Sequence, residues 1–133
     1  MKKILMLERC RYEVRAIHSN PSPPLTADIE CVEHAHVFEF ECARKLNIVP
    51  KSWSANNLRG DVEEFLHDYF PDHPKYGMLN FQQHDCIALA ELLITKLNLE
   101  SCRVMEQGIG GIELFRIVDI NHFDLAQDHL RKI

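Results

Sequence analysis

Residues 34–42, His-Ala-His-Val-Phe-Glu-Phe-Glu-Cys, alternate with a period of two. His34, His36, Phe38, Phe40 and Cys42 share one face, while Val37, Glu39, Glu41 and Ala43 share the other. Successive side chains of a strand point to opposite faces, so this stretch is a half-buried β-strand. Its core face begins with two imidazoles instead of hydrophobes. Two histidines at i and i+2 project side by side and can chelate a metal, with Zn–N distances of about 2.0–2.1 Å. Taken alone, a His-x-His is more often two solvated histidines at the mouth of a strand than a metal site. A third histidine upstream changes the balance.

Residues 3–18 read as a long first strand. Cys10, Tyr12, Val14, Ala16 and His18 fall on one face, and Arg9, Arg11, Glu13 and Arg15 on the other, with Ile17 the exception. Residues 19–30 contain Asn20, Pro21, Pro23 and Pro24, which favour a turn-rich connection. The second strand then runs over 34–46. Antiparallel pairing sets the end of the first strand beside the start of the second. His18 then lies near His34 and His36, on one face of one end of the sheet. Three neutral imidazoles with an open fourth position are the composition of a catalytic zinc site.

The rest of the chain alternates between helix and strand signals. Residues 47–56 form a loop. Leu58, Val62, Phe65, Leu66 and Tyr69 recur at helical spacing, Asn56 or Asn57 can cap the start, and Pro71 ends the helix. Residues 71–84 read as a loop. Asp85 is an N-cap for a second helix with the stripe Cys86, Leu89, Ala90, Leu93 and Leu97. Strands follow at 101–107 and 112–119, joined by a turn at Gly108-Ile109-Gly110-Gly111. No lysine or helix follows these glycines, so they do not form a phosphate loop. A short C-terminal helix starts at about Phe123 or Asp124. The expected order is β-β-α-α-β-β in one α+β domain over 1–133, an antiparallel four-stranded sheet with both helices on one face.

Composition narrows the function classes. The net charge is −5 with no long basic stripe, which argues against nucleic acid as a partner. No apolar stretch is long enough to span a bilayer. The apolar run from Ile4 to Leu7 stops at Glu8 and Arg9, too short for a signal peptide. Cys10, Cys31, Cys42, Cys86 and Cys102 are odd in number and include no CxxC, a pattern of reduced thiols in a cytoplasmic protein.

Several stretches, in order, resemble the 6-pyruvoyltetrahydropterin synthase and 6-carboxytetrahydropterin synthase family. Ala16-Ile17-His18 resembles its Ser-Ala-His, and His34-Ala35-His36-Val37-Phe38 its His-Gly-His-aromatic start of strand two. Asp72-His73 with Leu79-Asn80 resembles its Leu-Asp-His…Leu-Asn stretch, and Cys102-Arg103-Val104-Met105-Glu106 its strand ending in glutamate. The resemblance spans about Tyr12 to Phe115. It implies the tunnelling (T-fold) architecture, closed into barrels by neighbouring subunits, usually as a hexamer. It implies Zn2+ on His18, His34 and His36, and Glu106 holding a pterin ring. The implied activity is carbon–oxygen lyase action on the reduced pterin 7,8-dihydroneopterin triphosphate, in cofactor, folate or modified-base (queuosine) synthesis.

The resemblance also implies a base before the His pair, and a relay in which Asp72 orients His73. The register places Glu30 at the base position, as in relatives that release a hydroxymethylpterin. Cys31 stands one residue later and supplies the thiol most relatives use. The helix opening Gln83-His84-Asp85-Cys86-Ile87-Ala88 departs from the family's Pro-Thr-x-Glu-Asn.

Simpler readings stand beside each assignment. The trio can be a polar cluster at a barrel mouth, Asp72 an Asx turn before Pro74, and Glu106 a strand-end acid facing solvent. His67, His84, His122 and His129 read as surface or capping histidines. Two other functions fit the same residues: a non-catalytic pterin or purine binder, or a structural zinc protein.

Overall fold

A computed structural model describes residues 5–19, 33–46 and 57–117. In chain order the elements are β1 (Leu7–His18), β2 (His34–Lys45), α1 (Asn57–Tyr69), β3 (Leu79–Gln82), α2 (Cys86–Leu97), β4 (Ser101–Glu106) and β5 (Gly110–Phe115). They form a five-stranded sheet in the order β3-β1-β2-β4-β5 and two helices, an α+β fold.

β1 and β2 pair antiparallel without interruption from Leu7↔Lys45 to His18↔His34. The shared period of two therefore carries through both strands. Cys10 faces Cys42, Tyr12 faces Phe40, Val14 faces Phe38, Ala16 faces His36 and His18 faces His34. β4 continues the same face, with Cys102 opposite Cys42, Val104 opposite Phe40 and Glu106 opposite Phe38.

The structure corrects the sequence expectation at one edge. Residues 71–84 are not all loop, because β3 pairs parallel with the end of β1. The sheet is thus five-stranded and mixed, and the order is β-β-α-β-α-β-β. Leu79 and Phe81 are buried, Asn80 is half-buried and Gln82 is exposed. The alternation is present, but four residues are too few to announce a strand. The C-terminal helix expected after residue 122 lies outside the described residues, as do the loop at 47–56 and the connection at 20–32.

Both helices cover the same face. Leu58, Val62 and Leu66 of α1 and Leu89, Ala90 and Leu93 of α2 join Tyr12, Phe38, Phe40 and Val104 in one buried cluster. Phe81 sits at its centre, with ring centroids 5.0 Å from Phe38 and 4.9 Å from Phe70. On the opposite face Arg9, Arg11, Glu13, Arg15 and Glu41 are exposed. The ion pairs there, such as Arg11–Glu13, contribute little, because exposed pairs are typically worth under about 1 kcal/mol.

The helix ends are pinned by polar side chains. The Ala88 N–H donates to the Asp85 carboxylate at 2.8 Å, and Asn98 takes the left-handed conformation (φ 55°) that ends α2. At α1 the Leu58 N–H donates to Glu8, a buried carboxylate from β1 that also accepts from Arg44 at 2.7 Å. A strand residue thus supplies part of the capping expected from Asn56 or Asn57. No helix among the described residues is long and apolar enough to cross a membrane.

Candidate metal centre

The strand register fixes the three histidines before any side-chain detail is considered. His18 and His34 are direct cross-strand partners, and His36 lies two residues further along the same face. Their ring centroids are 4.7 Å (His18–His34), 4.7 Å (His34–His36) and 5.4 Å (His18–His36) apart, all edge-on. One nitrogen from each ring lies within 4.8 Å of the others, so the group could hold a metal ion. The ring of Phe38 stands edge-on to His18 at 5.0 Å and closes the apolar side of the site.

His18 is the best defined of the three. It is 4% exposed. Its Nδ1 lies 3.0 Å from the backbone carbonyl of His84, which can only accept, so Nδ1 carries the proton and donates. In the neutral ring the lone pair is then on Nε2. That atom is buried and makes no hydrogen bond among the described residues. An imidazole whose second nitrogen is held by a carbonyl has the arrangement that fixes tautomer and ring orientation in metal sites. The donor set and the orphaned nitrogen both fit a metal ion.

The supporting carbonyl comes from the strand that the sequence reading missed. The Ser19 N–H donates to the Gln82 carbonyl at 2.9 Å, tying β3 to the end of β1. Gln82 then adopts φ 58°, and the chain turns so that the His84 N–H reaches the Phe81 carbonyl at 3.0 Å. This turn presents the His84 carbonyl to His18, and Asp85 caps α2 immediately afterwards. His84, read from sequence as a surface or capping residue, acts through its backbone.

Glu106 is brought to the same centre. Its Oε1 lies 3.2 Å from His18 Nε2, and its Oε2 lies 3.7 Å from His36 Nε2. The carboxylate is on the helix-bearing face of β4, not on the solvent face that the simpler reading allowed. Cys86, the first residue of α2, lies close by. Burial, then the negative charges of Glu106 and Asp85, push its thiol up to about 12.

The Asp72-His73 pair is arranged differently from the expected relay. The Lys75 N–H donates to His73 Nδ1 at 3.1 Å, so Nε2 carries the proton and donates to Glu33 at 2.6 Å. Glu33 is thus the carboxylate that meets His73. Asp72 is exposed, and its backbone bridges to Leu79. His73 stacks on Tyr76 with centroids 5.1 Å apart. Tyr76, Met78 and Glu33 help to line a cavity of about 250 Å³ with His34, Arg15, Ile17 and Ala35. By the strand alternation those last three side chains point away from the trio. They also account for the buried Ile17, the exception in the first strand. Through Tyr76 and Glu33, His73 stands beside this cavity, which His34 also borders.

Glu30 and Cys31 lie outside the described residues. The other four cysteines are free thiols, with Cys42 Sγ 3.7 Å from Cys102 Sγ. No family model matches the chain, and no curated protein matches it.

Proposed function

We propose that this chain is a zinc-dependent carbon–oxygen lyase that eliminates triphosphate from 7,8-dihydroneopterin triphosphate and remodels the side chain. The observation that carries the proposal is the three-imidazole group His18, His34 and His36. Imidazole donors suit zinc, and three protein ligands with an exchangeable fourth position are the composition of catalytic zinc sites. Bound there, zinc would supply Lewis acidity, polarising a side-chain oxygen and acidifying the neighbouring C–H.

The protein's own groups divide the remaining work. The His84 carbonyl holds His18 in its ligating orientation, and Phe38 keeps the inner side of the site apolar. The base that takes the C–H proton comes from the connection leading into β2, where Cys31 and Glu30 are the candidates. The sheet has two edges, short β3 and β5, that need cover. Closure of these edges by strand pairing between copies, as a T-fold hexamer in the cytoplasm, is part of the same proposal.

The test is turnover. Zinc-loaded protein is incubated with 7,8-dihydroneopterin triphosphate, and the released triphosphate and pterin are separated by chromatography. The proposal expects stoichiometric triphosphate release with a pyruvoyl or carboxy pterin as co-product; a hydroxymethyl pterin, with the triphosphate left on the departing fragment, marks the Glu30 alternative. Absence of release, with a ligand-induced rise in melting temperature, would replace the lyase with a pterin-binding protein of the same fold.

A further inference from the structure

We propose that Glu106 is itself a metal ligand: in the resting protein its carboxylate fills the fourth position of the His18–His34–His36 centre. An incoming ligand must then displace it. The inference rests on the three-histidine reading, and it gives Glu106 a role other than the pterin contact that the family resemblance implies.

Geometry carries the first part of the argument. In a tetrahedral site with bonds of about 2.0–2.2 Å, two ligand atoms lie roughly 3.3–3.5 Å apart. The Glu106 oxygens lie 3.2 Å from His18 Nε2 and 3.7 Å from His36 Nε2. Oε1 thus stands at about that edge length from His18, while Oε2 turns toward His36. The position is set by backbone: Glu106 pairs with Phe38, the next residue after His36 on that face of β2. The Gln107 N–H donates to the Val37 carbonyl at 2.9 Å and fixes the end of β4.

Chemistry carries the second part. The proton of His18 is committed to the His84 carbonyl, so Nε2 presents a lone pair. An ionised carboxylate also presents only lone pairs. His18 Nε2 is buried with no hydrogen bond, although the Glu106 carboxylate stands 3.2 Å from it. A cation between them satisfies both. A carboxylate ligand also offsets part of the charge that a divalent ion brings to three neutral imidazoles.

The experiment uses Co2+ as a visible-light probe in the full metal-free chain, comparing wild type with Glu106→Ala and Glu106→Gln. Azide is then titrated as a competing monodentate anion. The proposal expects azide to alter the cobalt spectrum of the variants at concentrations that leave wild type unchanged. It also expects a loss of cobalt affinity greater than the ~10–100-fold typical of losing an outer-shell partner. Equal azide response in all three proteins, or an affinity loss within that outer-shell range, overturns the ligand assignment while cobalt binding by the histidines stands. Failure of wild type to bind cobalt overturns the three-histidine reading as well. Glu106→Gln keeps the side-chain shape, so it decides the matter if Glu106→Ala does not fold.

Discussion

His18→Leu should leave the metal-free protein within about 2 kcal/mol of wild type while abolishing its response to zinc. In the metal-free state His18 Nε2 is buried without a hydrogen bond, a situation that costs about 1–3 kcal/mol. Leucine removes that cost at similar volume, against the Phe38 ring that already packs there. It also takes the Nδ1–H from the His84 carbonyl, and an acceptor left without its partner costs about 1–3 kcal/mol when buried. The two costs offset each other to within about 2 kcal/mol. In wild type, zinc at a free concentration one hundred times its Kd adds about 2.7 kcal/mol. Urea melts with and without zinc measure both terms. A metal-free His18→Leu protein destabilised by more than about 2 kcal/mol, still stabilised by zinc, would refute the reasoning: His18 would then be a satisfied core residue.

Asp85→Ala removes the N-cap of α2, so it should cost about 1 kcal/mol in the same melts. Because Asp85 follows His84 directly, zinc affinity should also fall, by no more than the ~10–100-fold of an outer-shell loss. Cys10 should resist maleimide at neutral pH in the folded protein and react on unfolding, as peptide mapping by mass spectrometry can show. The hydrogen bond that the Cys10 thiol donates to Cys42, and then burial, push Cys10 well above its ordinary value of 9.0. A thiol raised in the fold is more protonated there than in the unfolded chain. Its contribution to stability is therefore whole below pH 9 and is lost as pH rises beyond it, which alkaline melts of wild type and Cys10→Ala would register.

The parts of the site that follow from alternation were legible in the sequence. The pairing of 18 with 34 requires only a period of two and an antiparallel hairpin, and it brought the three histidines together. The two helices were legible for the same reason, since Leu58-Val62-Leu66 and Leu89-Leu93 repeat at helical spacing. What stayed hidden depends on backbone or on distant partners. β3 is four residues long, and its pairing with β1 is parallel and non-local, so no hairpin signal marks it. The His84 carbonyl that orients His18 has no side-chain signature. Glu33 meets His73 across forty residues, while the adjacent Asp72 offered a nearer partner in sequence. Glu106 lay on the strand expected, but only the register of β4 against β2 shows that it faces His18 and His36.

Metal content is the most direct test of the central claim. Protein purified without chelator, and the His34→Ala/His36→Ala double variant treated alike, are analysed for zinc by mass spectrometry. The account predicts close to one zinc per chain in the wild type and none in the double variant, with both proteins folded by circular dichroism. Full zinc occupancy in the double variant, or a metal-free wild type that takes up no added zinc, would contradict it.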